Sequence, residues 1–312
     1  MSVTAPEVAS PDRRPPLLDR VAGAPISWGV CEVPGWGWQY DPSTVLTQMR
    51  EVGLRATEFG PDDFLPPAPR ERAALLASHG LEAVGQFVPV VLHDPGHDPL
   101  PEVDRAMDAL VEARATTVVL AAATGAEGYD ARPVLDPAGW DTLLRNLDRL
   151  DEAAAARGLR ATLHPHVGTM VESGEETDRV LDGSHVALCL DTGHLLIGGG
   201  DPVAVARRAP TRIGHVHLKD VADAVAQRVR SGDLSYTDGV RAGMYQPLGA
   251  GDVDVAAIVT ALERSGYAGW YVLEQDTILD ADPATDPGVR APLDDIRESI
   301  DHLRQVAARL VG

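Results

Sequence analysis

Four short apolar segments of this chain each carry, at or near their end, a residue type that commonly binds metal ions. The segments ATLHPH, VALCLDTGH, GHVHLKD and GWYVLEQD contain His164, Asp191, His217 and Glu274. Each has the composition of a buried strand followed by turn residues. Because the carboxyl ends of parallel strands meet at one edge of a sheet or barrel, these side chains are expected to converge. Two imidazoles and two carboxylates at one point predict a site for a divalent cation.

Predicted strands and helices alternate from Ala24 to the end of the chain. The segment PISWGV at 25–30 is predicted as the first strand, and the four segments above as strands five to eight. The ligand spacings of 27, 26 and 57 residues fit repeated strand–helix units, the last one enlarged by an insertion at 221–252. The predicted fold is therefore a single-domain α/β protein, a (β/α)8 TIM barrel. A doubly wound open sheet is the alternative, but no GxGxxG turn follows the first predicted strand.

The ends of the chain and its insertion allow further predictions. Residues 1–23 are polar and rich in proline, and we expect a flexible N-terminal arm there, with residues 24–312 forming the barrel domain. The arm lacks the apolar core of a signal peptide, and no apolar run is long enough to span a bilayer, so a cytoplasmic protein is expected. The Gly-containing insertion at 221–252 follows strand seven on the side of the ligands and is predicted to cover the site.

The net charge and the types of candidate ligand limit which macromolecules and which metal ions this chain is expected to bind. A formal net charge of −20 opposes binding to a nucleic-acid backbone. The candidate ligands include no thiolate, which disfavours a structural zinc site. Mixed imidazole and carboxylate ligands suit one divalent ion among Mn, Co, Mg, Fe or catalytic Zn, with Mn or Co favoured.

Several longer segments also carry a family resemblance. They are HPHVGT (164–169), CLDTGHLLIGGGDP (189–202), RIGHVHLKDV (212–221), LGAGDVD (248–254) and GYAGWYVLEQD (266–276). Together they resemble the xylose-isomerase-like barrel superfamily of sugar isomerases and epimerases, and within it inosose dehydratases and inosose isomerases. The resemblance implies a divalent metal at the carboxyl-terminal mouth of the barrel, held by His164, Asp191, His217 and Glu274. It also implies a keto-sugar or keto-cyclitol substrate.

One position departs from part of that superfamily. Its ketose 3-epimerases carry glutamate on strand five, where this chain has His164. A metal-bound neutral imidazole is a poor base, so proton abstraction from one side, as in elimination or isomerisation, is expected. The first hypothesis is a lyase of the inosose dehydratase type that acts through a metal-stabilised enediolate. The alternatives are an isomerase or epimerase, a 3-keto-glycoside lyase, and a barrel that serves only as a non-catalytic scaffold. The superfamily also contains apurinic endonucleases, but the negative net charge of this chain disfavours such a DNA-binding activity.

Other residues near the predicted mouth have candidate roles. The base is expected to be Glu274, His166 or Glu58, and Lys219 or His194 is expected to act as the acid. Glu58 could equally be a salt-bridged carboxylate at the barrel rim, and Lys219 could form a plain salt bridge. The residues predicted to contact the substrate are Trp28, Trp36, His93 and His194.

The predicted partner is a small molecule. The chain has no Gly-rich phosphate turn after strands seven or eight, so a non-phosphorylated substrate is expected. Neither a nucleic acid nor a membrane is an expected partner, and barrels of this kind often associate into homo-oligomers.

Overall fold

The structure, a computed structural model, describes residues 14–126 and 128–311. Within these residues, eight parallel strands form a closed barrel, and each pairs with the next along the chain until the last pairs with the first. The barrel strands are β1 (Val21–Gly23), β2 (Ala56–Glu58), β3 (Glu82–Val91), β4 (Thr117–Ala123), β5 (Arg160–Leu163), β6 (Ala187–Asp191), β7 (Ile213–Leu218) and β10 (Tyr271–Leu273). Two short strands, β8 (Asp220–Val221) and β9 (Tyr245–Gln246), form a separate antiparallel pair. The predicted (β/α)8 barrel is confirmed, and the open doubly wound sheet is excluded.

Capping residues and prolines define where many helices begin. Asp41, Asp136 and Asp201 each precede a proline at the first turn of a helix, and each side chain accepts a backbone N–H of that turn. Proline suits this position because its missing N–H would have no partner within the helix. The helices are α1 (Pro42–Glu51), α2 (Pro69–Ser78), α3 (Leu100–Glu112), α4 (Pro137–Ala156), α5 (Gly174–Gly183), α6 (Thr192–Ile197), α7 (Pro202–Arg208), α8 (Asp223–Arg230), α9 (Tyr236–Arg241), α10 (Val255–Arg264) and α11 (Pro292–Val311).

The core lies between the barrel and the surrounding helices. In α4, for example, Leu143, Leu147 and Leu150 recur at helical spacing and are buried against the barrel side of the helix. Among the residues that the structure describes, no helix combines the length and apolar character needed to cross a membrane.

The first strand is not where the sequence placed it. The segment 25–30 was predicted as a strand, but β1 is Val21–Gly23 and Pro25–Trp28 is a 3-10 helix. Pro25 has no N–H for a ladder hydrogen bond, so the strand cannot continue through it. Gly29 then adopts φ 78° and ends the short helix.

Within the described residues, the last part of the predicted N-terminal arm packs on the barrel. Residues 1–13 lie outside the described residues, but residues 14–23 belong to the barrel. Arg20 is buried, donates hydrogen bonds to the carbonyls of Tyr267 and Gly269, and pairs with Glu263 at 2.6 Å. Arg14 also donates to the carbonyls of Glu263 and Tyr267. These contacts join the start of the described chain to the segment between α10 and β10.

The predicted insertion contains α8, α9 and the β8–β9 pair. The last residues of the insertion, before the chain re-enters the barrel, are bound by the side chain of Asp220, which is fully buried. One Asp220 oxygen accepts the N–H groups of Val221 and Val253, and the other accepts those of Gly249 and Gly251. A carboxylate that accepts four backbone hydrogen bonds stabilises the conformation of this glycine-rich segment.

We predict that Asp220→Asn lowers the free energy of unfolding by about 2–4 kcal/mol, because an amide replaces one acceptor oxygen with a donor. Two buried N–H groups would then face an NH₂ group. Urea unfolding followed by circular dichroism measures the change. The matched control is Asp19→Asn at an exposed position, where the change should stay within about 0.5 kcal/mol. Equal stability of the two variants would contradict this role of Asp220.

Candidate metal centre

The four predicted ligands lie together at the carboxyl ends of neighbouring strands. His164 follows β5, Asp191 ends β6, His217 lies in β7 and Glu274 follows β10. All four are buried, and one ligand atom of each lies within 4.8 Å of the others. His164 Nε2 is 3.0 Å from Asp191 Oδ2, and His217 Nδ1 is 2.6 Å from Glu274 Oε2. The fold therefore brings together four residues from distant parts of the chain, as the positions of the predicted strand ends indicated.

The facing atoms of these residues lack ordinary partners. Four buried atoms, His164 Nε2, Asp191 Oδ2, His217 Nδ1 and Glu274 Oε2, have no hydrogen-bond partner within the described residues. Buried polar atoms are nearly always paired in folded proteins. Four nitrogen and oxygen atoms that face each other without a hydrogen bond fit a divalent cation, and this supports the predicted ligand set.

Local structure fixes the orientation of the Asp191 carboxylate. Asp191 is the N-cap of α6, and its Oδ1 accepts the backbone N–H groups of Gly193 and His194 at 2.9 and 2.7 Å. This leaves Oδ2 to point towards the other ligands. The sequence DTGH thus serves two purposes, since it begins a helix and aims one carboxylate oxygen at the centre.

The opposite side of the His217 ring is held by Glu58. His217 Nε2 lies 3.0 Å from Glu58 Oε1, and His215 Nε2 lies 2.8 Å from the same oxygen. Burial alone would raise the pKa of Glu58, but His217 and His215 outweigh it and lower the pKa well below its usual range. An ionised carboxylate that accepts from two imidazoles orients His217 with Nδ1 towards the centre. This geometry favours a positioning role for Glu58 over the predicted role as catalytic base.

Lys219 lies beside the ligands in a network that reaches the insertion. Its Nζ is 3.2 Å from Glu274 Oε2 and donates to Asp276. Asp276 in turn accepts from the hydroxyl of Tyr236, at the start of α9. Burial would lower the pKa of Lys219, but Asp276 and Glu274 raise it well above its usual value. The ammonium therefore stays protonated, and the insertion is connected to it through one carboxylate.

His166 presents a neutral ring to the cavity. Its Nδ1 lies 2.7 Å from the carbonyl of Val167, which leaves Nε2 as the unprotonated nitrogen. Burial lowers the pKa of His166 to about 3. Its ring lies against that of His194, with centroids 3.8 Å apart and planes tilted by 32°, and the rings of Tyr129 and Phe87 lie 5.1 and 5.5 Å away.

These residues line a cavity of about 950 Å³ at the mouth of the barrel. A family model described as "Xylose isomerase-like TIM barrel" matches residues 46–306. The chain belongs to the xylose isomerase-like TIM barrel family.

Individual members of the family are similar over most of their length. Rhizopine catabolism protein MocC of Rhizobium meliloti is 33% identical over 301 residues, which cover 93% of this chain and 89% of the relative. Inosose dehydratase of Geobacillus thermodenitrificans is 30% identical over 293 residues, which cover 90% of this chain and 95% of the relative. A solved structure of the IOLI protein with a bound zinc atom is 15% identical, with a TM-score of 0.67 over 93% of this chain and 99% of that one. That structural likeness shows a shared fold.

Of the residues predicted to contact the substrate, some line the cavity and others do not. Trp36 and His194 line the cavity, as expected. Trp28 does not reach it, because its ring is fully buried in the core and its Nε1 donates to Gln48. His93 follows the end of β3 and is not among the described residues that line the cavity. The prediction for Trp28 is corrected accordingly, and substrate contact by His93 stays a prediction.

Two site residues escaped the sequence predictions. Asp276 follows Glu274 by two residues, and the alternation of side chains along an extended segment could have placed both on one side. Tyr236 carried no comparable signal, because its position depends on how the insertion folds back over the mouth. Both residues line the cavity of this family member.

We predict that Glu58→Gln weakens binding of a divalent cation about 10- to 100-fold, because loss of the carboxylate charge loosens the orientation of His217. Titration of the metal-free protein with Mn²⁺ or Zn²⁺ against a chromophoric chelator measures the affinity. Glu32→Gln is the matched control, since Glu32 is an exposed carboxylate at the same cavity. Identical affinities for wild type and Glu58→Gln would remove this positioning role.

Proposed function

We propose that this protein is a divalent-metal-dependent lyase of the inosose dehydratase type, which removes water from a keto-cyclitol or a related keto-sugar. The observation that carries the proposal is the set of four candidate metal-ligand atoms. They are buried, lack hydrogen-bond partners within the described residues and lie beside a protonated lysine. Curated relatives named inosose dehydratase, at about 30% identity over nearly the whole chain, support this substrate class. The proposed substrate is not phosphorylated.

His164, Asp191, His217 and Glu274 would hold the cation. When bound, a divalent ion polarises a ketone oxygen and makes the neighbouring C–H more acidic. The mixed imidazole and carboxylate set suits several ions, and Mn or Co remains the proposed choice.

Two groups are placed to take the proton from the carbon next to the ketone. His166 offers the unprotonated Nε2 of a neutral ring, and Glu274 offers a carboxylate next to the centre. Glu58 is less suited because its Oε1 already accepts from His215 and His217. We assign the base to His166 or Glu274, both predicted from the sequence.

The leaving hydroxyl needs a proton, and Lys219 can supply it. The base takes the proton from carbon, the C–H electron pair becomes a C=C bond, and the C–O bond at the next carbon breaks. The Lys219 ammonium protonates the departing oxygen, so that water leaves and an enol of a dione remains. Asp276 orients the ammonium for this step through its hydrogen bond.

The residue type at position 219 supports this role. Lys219 is the only lysine in the chain, whose other 26 basic side chains are arginines. Arginine therefore serves every other cationic position, including the surface pairs. The Lys219 side chain is 2% exposed and lies between Glu274 and Asp276. A compact ammonium there has a transferable proton, whereas a planar guanidinium does not release its proton.

We predict that the metal-loaded protein converts 2-keto-myo-inositol to a dione that absorbs in the ultraviolet, with the loss of one water. Absorbance and mass spectrometry follow the product. Uptake of solvent deuterium into recovered ketone without water loss would instead identify an isomerase or epimerase.

Turnover should disappear in His217→Ala and Glu274→Gln, which remove predicted ligands. The matched controls are His185→Ala and Glu175→Gln at exposed positions, and circular dichroism checks that all four variants fold.

We predict that Lys219→Met lowers kcat for the same ketone about 10²- to 10⁴-fold, because the general acid is lost. Lys219→Arg should show a loss of similar size, since it keeps the charge but not the transferable proton. A role limited to balancing charge would show up as near-normal kcat in Lys219→Arg together with impaired Lys219→Met.

A further inference from the structure

One tyrosine at the cavity wall has no part in the reaction steps assigned above. Tyr129 lies in the loop between β4 and α4 and lines the cavity. The centre of its ring is 5.1 Å from that of His166 and 5.5 Å from that of Tyr236. His166 in turn lies 5.4 Å from the ring of His164. Seen from the metal centre, Tyr129 therefore stands one ring beyond the candidate base.

Two contacts hold the loop that carries Tyr129. Arg132 pairs with Glu176 of α5 at 2.6 Å, and Asp130 accepts the backbone N–H of Tyr236 at 2.7 Å. The first contact joins the loop to the segment after β5, and the second joins it to the insertion. Tyr129 is thus attached to two separate parts of the barrel mouth.

Gly168 lets this loop approach the candidate base closely. A Cβ atom at position 168 would lie 2.5 Å from both the Cα and the carbonyl oxygen of Tyr129, which is closer than nonbonded atoms come. Gly168 also has φ 76°, a left-handed conformation that favours glycine. The glycine of the HPHVGT segment therefore leaves room for the backbone of Tyr129 beside the cavity.

The Tyr129 hydroxyl is available to a ligand. Among the described residues, no group forms a hydrogen bond with it, and the residue is only partly buried at the cavity wall. Burial raises the pKa of this hydroxyl, and the charge of Glu32 raises it further, so the hydroxyl keeps its proton. The group therefore offers one donor and an acceptor to the contents of the cavity.

A cyclitol ring at this site would extend from the metal centre towards Tyr129. Its ketone oxygen would lie at the four candidate ligands, and the carbon that loses its proton would lie next to His166. Because Tyr129 stands one ring further from the metal centre, the hydroxyl groups on the carbons remote from the ketone would face it.

We propose that Tyr129 is a substrate-binding residue whose hydroxyl forms a hydrogen bond with one of these remote hydroxyl groups. It thereby selects fully hydroxylated rings over analogues that lack a hydroxyl at that position, since loss of the partner would leave a polar group of the site unpaired. This inference deepens the proposed function and rests on it, because it assumes that the reacting ring lies between the metal centre and His166.

Calorimetry with stable polyols tests the contact without turnover. The ligands are myo-inositol and a set of monodeoxy-inositols that together lack each ring hydroxyl in turn, and each is titrated into the metal-loaded protein. We expect Tyr129→Phe, which removes only the hydroxyl, to weaken binding of myo-inositol about 3- to 10-fold, as the loss of one neutral hydrogen bond would give. The deoxy-inositol that lacks the partner hydroxyl should bind equally well to the wild type and to the variant.

Kinetics with 2-keto-myo-inositol separate binding from chemistry. Tyr129→Phe should raise KM by a similar factor and leave kcat within about twofold, because a contact that is equally strong before and during the reaction step affects binding alone.

Tyr40→Phe is the matched control. Tyr40 also lines the cavity, but its ring packs against that of Trp38, with centroids 4.5 Å apart. Its variant should therefore bind myo-inositol as the wild type does, and circular dichroism checks that both variants fold. Absence of myo-inositol binding by the wild type, unchanged affinity in Tyr129→Phe, or an equal loss for every deoxy-inositol would overturn the proposal.

Elimination of water from 2-keto-myo-inositol by the wild type is measured in parallel. Elimination with the same KM in the wild type and in Tyr129→Phe rejects the role of Tyr129 and keeps the lyase. A selective loss of affinity in Tyr129→Phe without elimination by the wild type rejects the lyase and keeps Tyr129 as a binding residue.

Discussion

Electron-rich atoms buried close together repel one another unless a positive charge lies between them. In this barrel the pairs His164–Asp191 and His217–Glu274 approach to 3.0 and 2.6 Å without forming proper hydrogen bonds. Their surroundings hold them there: backbone N–H groups of α6 fix Asp191, and Glu58 fixes the ring of His217. These contacts hold the four ligand atoms in a rigid frame, which is the arrangement expected of a preorganised cation site. Much of the mouth can be understood as support for this frame.

The insertion is part of that support. Tyr236 of α9 donates to Asp276, and its backbone N–H donates to Asp130 in the loop after β4. This helix of the insertion is thus attached both to the carboxylate that accepts from Lys219 and to the loop after β4. Any displacement of α9 would disturb the ammonium at the same time. The position of α9 and that of the Lys219 ammonium are coupled by a chain of two hydrogen bonds.

The sequence predicted the features that depend on strand periodicity and strand ends. The barrel and the convergence of His164, Asp191, His217 and Glu274 follow from where apolar runs stop. β1 was misplaced because the apolar character of 25–30 suggested a strand, although Pro25 cannot donate to a ladder. Trp28 was assigned to the substrate because sequence does not show which face of a short 3-10 helix is buried.

Tyr236 could not have been found in this way. It reaches Asp276 only because the insertion that carries α9 folds back over the mouth of the barrel. Such proximity depends on tertiary packing, for which local sequence patterns carry no signal.

The presence of a single lysine gives this protein an unusual spectroscopic property. Expression with ¹⁵N-labelled lysine would place one labelled residue in the whole chain, at the mouth of the barrel. Its ammonium resonance, sheltered from exchange with water by burial and by Asp276, would then report on occupancy of the cavity without any background from the surface.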